Sequence, residues 1–178
     1  TQPAQPAHSK LAHSKPICSQ KKITFTALDG KTTHIQINTQ TTQQTQPPIK
    51  QLLLKTKAHQ SQQAISDIQS RLHKGSIIVV MQNGMGVAEQ LQRQLPHCRI
   101  LVATTTEGAN RPQKHSVIHA GFGETWIGSL VLSQESQSLA QAVAQQWHPI
   151  GLSTQYDKNI IQRLWIKLAI NCAINPLT

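Results

Sequence analysis

Apolar and polar positions change rhythm several times along the chain, and each change predicts an element. Over residues 22–37 the alternation is short: Lys22-Ile-Thr-Phe-Thr-Ala-Leu28 and Thr33-His-Ile-Gln-Ile37 stand on either side of Asp29-Gly30. A period of two flanking an Asp-Gly pair predicts a β-hairpin, because strand side chains alternate between faces and Asp-Gly accommodates the turn. From residue 51 the apolar runs become unbroken, in Leu52-Leu-Leu54, Ser76-Ile-Ile-Val-Val-Met81 and Arg99-Ile-Leu-Val-Ala-Thr104. Short runs of this kind predict strands buried on both faces. Between them Ala64, Ile65, Ile68 and Leu72 mark the apolar side of one helix, and residues 87–95 form another. Strand, helix, strand, helix, strand with short connections predicts an α/β fold with a parallel sheet covered by helices.

Beyond this unit, residues 117–120 and 124–127 predict a second hairpin around Gly121 and Gly123. Residues 134–147 read as a helix and 153–156 as a last strand. Asp157 is placed to cap a final helix that runs to Pro176. Residues 1–22, rich in Pro, Gln, Ser and Lys, are expected to have little order, and the low-complexity stretch 38–48 to be loop.

The final helix is apolar almost all round, crossed by one polar line of Lys167, Asn171 and Asn175. Steps of four residues drift only about 40° around a helix axis, so the three side chains rise along one stripe. Lysine is rarely buried without a partner, and partial desolvation makes its proton easier to move. An ammonium flanked by two amides suits a ligand with a carbonyl, carboxylate or hydroxyl. An amphipathic helix with a narrow wet face is the alternative.

Length and composition narrow the picture further. At 178 residues, with 38% hydrophobic and 13% charged positions, the chain suits one domain with a real core. A formal net charge of +10 is compatible with a phosphate-bearing partner. The cations are scattered, however, and aromatics make up 3%, which argues against a nucleic-acid interface. Three widely spaced cysteines, Cys18, Cys98 and Cys172, suit reduced thiols in a cytoplasmic protein. Nine histidines form no recognised metal motif; His115 and His119 are four apart in a stretch read as extended. No apolar run is long enough to span a membrane.

Ligands of parallel sheets sit beyond the carboxyl ends of the strands. Two segments occupy that position: Lys55-Thr-Lys57-Ala-His-Gln60 and Asn83-Gly-Met-Gly86. Glycines there let backbone approach a ligand, and Asn83 offers a donor and an acceptor, although Asn-Gly is also an ordinary turn.

Leu52-Leu-Leu-Lys-Thr-Lys-Ala-His-Gln60, Gln82-Asn-Gly-Met-Gly86, Ala103-Thr-Thr-Thr-Glu-Gly-Ala109 and Leu164-Trp-Ile-Lys-Leu-Ala-Ile-Asn-Cys-Ala-Ile-Asn-Pro-Leu-Thr178 together resemble the ketopantoate reductase (2-dehydropantoate 2-reductase) family. The resemblance spans about residues 50–178, and its last segment is the most specific. It implies a partial Rossmann-like parallel sheet flanked by helices, then the first helix of an all-α domain. The corresponding division is 1–22 poorly ordered, 23–156 partial NADP-binding domain and 157–178 start of a helical substrate or dimerisation domain. The implied activity is NADPH-dependent reduction of 2-dehydropantoate to pantoate, in pantothenate and coenzyme A biosynthesis. Its partner is a small 2-oxo acid, with neither nucleic acid nor membrane.

By the same resemblance Lys167 is the catalytic proton donor, and Asn171 and Asn175 bind substrate. Asn83 meets cofactor and substrate, while Lys57 and Ala109 contact NADP. The family's Gly-x-Gly-x-x-Gly loop does not occur in the sequence, and the family continues past the Asn-Pro-Leu-Thr point. The chain is therefore expected to correspond to the middle of such an enzyme and, alone, to bind NADPH weakly or not at all. An inactive remnant or interaction module of the same fold is the competing expectation, and a basic nucleic-acid binder a third.

Overall fold

The computed structural model describes residues 19–40, 42, 47–151 and 153–174. Two sheets organise them. Strands β1 (Ser19–Thr26) and β2 (Thr32–Thr39) form the expected antiparallel hairpin, with Ile23 opposite Ile35. Its turn is held by the Lys31 amide, which donates to Asp29 Oδ1 at 2.9 Å. Because β1 starts at Ser19, residues 19–22, expected to have little order, are strand.

The second sheet has five strands in the order β3-β4-β5-β8-β9. β3 (Ile49–Leu54), β4 (Leu72–Val80) and β5 (Arg99–Thr105) are parallel, as the apolar runs predict. Helix α1 (Ser61–Ile68) connects the first two and α2 (Val87–Gln94) the next two. β8 (Thr125–Gly128) then runs antiparallel to β5, and β9 (Thr154–Tyr156) parallel to β8. Helix α3 (Gln134–Trp147) lies between β8 and β9 in sequence, and α4 (Ile160–Ile174) closes the described chain.

Alternation within β4 and β5 divides the core. Ile78, Val80, Ile100 and Val102 pack with Ile65 and Ile68 of α1, Leu91 of α2, and Ile160 and Leu164 of α4. Val79, Met81, Leu101 and Ala103 face the other way and pack with Ala140 and Val143 of α3. Helices therefore cover both faces of the sheet, which is why these strands read as continuous apolar runs.

Three further expectations need correction. Residues 117–120 and 124–127 do not form a hairpin. β7 (Ser116–Gly121) joins the other sheet, parallel to β1 and antiparallel to β6 (Gly108–Asn110), whereas β8 joins the five-stranded sheet. Gly123 is needed not for a hairpin turn but for close passage: a Cβ there would stand 2.3 Å from the Glu107 amide nitrogen. Leu72 begins β4 rather than continuing the preceding helix, because a 3-10 turn over Gln69–Arg71 ends that helix first. Asp157 stands ahead of α4 rather than starting it, accepting from the Asn159 amide at 2.8 Å. Its carboxylate also takes Arg163 Nε at 2.6 Å.

Candidate active site

Strands β3, β4 and β5 all end on the same side of the sheet, and the residues after them converge there. Lys55 follows β3, Asn83 follows β4, and Thr105-Thr-Glu107 closes β5. Helix α4 crosses in front of them and brings Lys167 and Asn171 to the same cleft, which has a volume of about 520 Å³. A second cleft of about 320 Å³ adjoins it, lined by Lys55, Thr56, Lys57 and Asn83 among others. Lys55 and Asn83 belong to both.

The Thr105–Glu107 turn is pinned from several sides. The Thr106 amide donates to Glu124 O at 2.9 Å, and the Glu124 amide returns to Thr106 Oγ1 at 3.0 Å. Thr105 Oγ1 accepts from the Glu107 amide at 3.1 Å and from Thr125 Oγ1 at 2.9 Å. This leaves the Thr105 carbonyl aimed at α4, where it accepts from Lys167 Nζ at 2.7 Å. The lysine is half-buried, so its ammonium is held by one backbone dipole in a partly dry setting.

Burial pushes the Lys167 amine below the usual lysine range, and the neighbouring positive charge of Lys55 pushes it the same way. The other charges of the cleft are already committed. Arg163 pairs with Asp157 and lies over the Trp126 ring, 3.9 Å from its centroid. Burial works against ionisation of Asp157, but the hydrogen bonds from Arg163 and the Asn159 amide, with the guanidinium charge, hold its carboxyl below its ordinary value. Glu107, which also lines the cleft, is bound by His119 Nε2 at 2.8 Å.

The loop after β3 is tied down separately. Gln82 Nε2 donates to Thr56 Oγ1 at 3.3 Å and to Ser61 Oγ, and Ser61 Oγ donates to Lys57 O at 3.2 Å. Gln82 Oε1 is buried with no partner among the described residues, leaving an acceptor free at the edge of the smaller cleft. Gly86 has φ +99° at the start of α2, and its amide donates to Glu89 Oε2 at 3.0 Å. Such a backbone turn suits glycine because it has no Cβ.

The structure thus brings Lys167, Asn171 and Asn83 to one cleft and sets Lys57 in the adjoining one. Ala109 lies apart from both: it is on β6, paired with His119 in the four-stranded sheet. Asn175 falls outside the described residues. Lys55, Thr105 and Glu107 were given no individual role by sequence, although Lys55 opens the segment placed beyond the end of β3 and the other two lie in the motif Ala103-Thr-Thr-Thr-Glu-Gly-Ala109. The Glu107–His119 pair joins β7 to the cleft across twelve residues and left no trace in the pattern. His115 precedes β7 with φ +65°, so it lies outside the strand that carries His119. Among the described residues no group of three or more His, Cys, Asp or Glu could hold a metal ion, and Cys98 and Cys172 form no disulfide.

Comparison with known proteins identifies the family. The family profile described as ketopantoate reductase PanE/ApbA matches residues 10–131. The chain belongs to that family. The 2-dehydropantoate 2-reductase of Vibrio cholerae serotype O1 is 38% identical over 128 residues, covering 71% of this chain and 42% of that protein. The enzyme of the same name from Shigella flexneri is 37% identical over 128 residues, with 71% and 40% covered. The chain therefore spans about two fifths of the length of these curated relatives.

Among solved structures, D-mandelate dehydrogenase with NADH and anilino(oxo)acetate matches at TM-score 0.74 and 21% identity, covering 84% of this chain and 47% of that one. The 2-dehydropantoate 2-reductase of Geobacter metallireducens GS-15 matches at TM-score 0.69 and 16% identity, covering 92% and 53%. These likenesses show a Rossmann-like α/β fold, with the qualification that β8 makes the sheet mixed rather than wholly parallel. The profile match also begins well before residue 50, earlier than the sequence motifs mark the resemblance.

Proposed function

We propose that the chain supplies the proton-donor part of a nicotinamide-dependent 2-oxo acid reductase site. The reaction is reduction of 2-dehydropantoate to pantoate by NADPH, a step of pantothenate and coenzyme A biosynthesis. The observation that carries it is Lys167 Nζ, bonded to the Thr105 carbonyl and lining a cleft at the carboxyl ends of β3, β4 and β5. The relatives named 2-dehydropantoate 2-reductase and the dehydrogenase structure with NADH support the reaction class and the cofactor class.

The residues present suit a nicotinamide nucleotide in part. The smaller cleft offers the Lys57 cation, the Asn83 amide and the unpaired Gln82 acceptor, a donor set matched to phosphate and amide groups. Lys57 and Asn83 would hold the nucleotide; Ala109, on β6, lines neither cleft. The bound cofactor supplies the hydride. The protein's part is to hold the ketone and manage the charge that hydride arrival leaves on its oxygen.

Lys167 does both. Its ammonium hydrogen-bonds the ketone oxygen, stabilises the developing alkoxide and passes a proton from Nζ to it. The neutral amine then regains a proton from solvent, with which the open cleft communicates. Asn171, one turn further along α4, and Asn175 beyond it would orient the substrate by hydrogen bonds, an effect exerted through geometry. Burial of the lysine matters because a lowered pKa brings donor strength closer to the working pH.

The division into a nucleotide-binding unit over 23–156 and a helical segment from 157 follows the same reading, as does a cytoplasmic location. No described helix is long and apolar enough to cross a membrane. The assay that tests the assignment is NADPH oxidation with 2-dehydropantoate. Lys167→Ala is expected to lower turnover about 10²–10⁴-fold, the usual contribution of a general acid, with the Kd for NADPH little changed. Turnover within a few-fold of the unsubstituted protein would refute the role.

A further inference from the structure

Lys55 and Lys167 face one cleft from opposite sides, one at the end of β3 and the other on α4. Neither ammonium has a carboxylate partner among the described residues. Glu107, the one carboxylate among the described residues that line the cleft, is hydrogen-bonded to His119, whose ring is flanked by Phe25 and Phe122. Arg163 is neutralised by Asp157. Lys55 and Lys167 thus line the cleft without a paired carboxylate, and the Lys55 charge acts unfavourably on the Lys167 ammonium. Like charges that share a cleft, one of them half-buried, cost free energy that a bound anion relieves.

We propose that Lys55 is a second substrate-binding cation, which takes the carboxylate of the 2-oxo acid while Lys167 takes the adjacent ketone oxygen. The inference rests on the reductase reading of the cleft and adds a residue that determines specificity. In a 2-oxo acid the carboxylate and ketone are neighbours on consecutive carbons, so one small anion can meet both ammonium groups. An uncharged 2-oxo ester or amide satisfies only Lys167. The Thr105 carbonyl fixes the Lys167 ammonium, while Lys55 reaches the cleft from the residue that follows β3.

Because Lys55 also borders the smaller cleft, a nucleotide phosphate is the other anion it could hold. Calorimetric titration of the protein distinguishes the two sources, using NADPH, then 3-methyl-2-oxobutanoate and its methyl ester in the presence of NADPH. The unsubstituted protein is expected to prefer the acid over the ester. Lys55→Met is expected to weaken the acid roughly tenfold or more, the scale of a lost charge-assisted hydrogen bond, with the ester and NADPH affected less than threefold. Lys55→Arg is expected to recover most of the acid affinity.

Equal losses for acid and ester, no loss for the acid, or a loss falling on NADPH would each overturn the assignment; the last would move Lys55 to the phosphate. Absence of any preference for the acid in the unsubstituted protein would overturn it too. Turnover is a separate readout: discrimination of acid from ester through Lys55 without hydride transfer would contradict the reductase reading and leave the anion site standing.

Discussion

Lys167 is held by one short hydrogen bond in a half-buried setting, with a second ammonium for a neighbour. Its folded-state pKa is lowered, so through the window between that value and the ordinary lysine value of 10.5 the folded protein binds fewer protons than the unfolded chain. Stability therefore rises with pH across that window, and below it the buried charge is a standing cost. Lys167→Met is expected to raise the thermal midpoint at pH 7, with the gain shrinking as pH approaches 10.5. A lowered midpoint at pH 7 would show that the Thr105 hydrogen bond outweighs the burial of charge. The same shift governs activity with the opposite consequence. A proton donor must be protonated, so turnover is expected to fall on the alkaline side at a pH below 10.5. Lys55→Met removes the like charge and is expected to move that limb to higher pH; a limb that stays put would show the two amines to be uncoupled.

At the scale of elements, the core pattern explains why the middle of the chain was legible. Ile78 and Val80 alternate with Val79 and Met81 between two helical layers, so burial on both faces wrote an unbroken apolar run. The β1–β2 hairpin carried its own local turn chemistry at Asp29-Gly30 and was equally readable. The second expected hairpin failed because its local signals were sound but its pairing is not local. β7 and β8 follow each other in sequence yet join different sheets, and Gly123 marks the crossing, not a turn.

Stripe geometry on α4 gave Lys167 and Asn171 from spacing, whereas Lys55, Thr105 and Glu107 meet them only through strand order. Gly123→Ala tests the crossing. Its added methyl would collide with the backbone of Thr106 and Glu107, so the turn that aims the Thr105 carbonyl at Lys167 should shift. Amide chemical shifts are expected to move at 105–107 and along α4 around 167; changes confined to 122–124 would show that the crossing relaxes without touching the site. In the core, Leu91 of α2 is fully buried, and Leu91→Ala is expected to cost about 2–5 kcal/mol in denaturant unfolding with an unchanged m-value.

At the scale of the molecule, the two sheets differ in how well they are covered. Both apolar clusters belong to the five-stranded sheet and its helices, and neither includes a residue of the four-stranded sheet. All of β2 except its last residue is exposed. On α4, Trp165, Ile166 and Ile170 are likewise more than half exposed, so the helix carrying the candidate donor is apolar beyond the face it buries. Local opening should follow this division. Hydrogen exchange is expected to be slowest at residues 78–80 and 100–103 and fastest along β2; comparable protection in the two sheets would contradict it. The cleft lies at the carboxyl ends of the better-covered strands, so the proposed chemistry is expected on the more protected part of the fold.

Chemical rescue of Lys167→Ala bears most directly on whether this amine gives up the proton. Small alkylammonium ions added to the assay can enter a cleft emptied of the lysine side chain and donate in its place. Turnover of 2-dehydropantoate with NADPH is expected to rise with the concentration of the protonated amine, and to be unaffected by tetramethylammonium, which carries charge without a transferable proton. Full turnover without added amine, or a deficit that no amine repairs, would contradict the account.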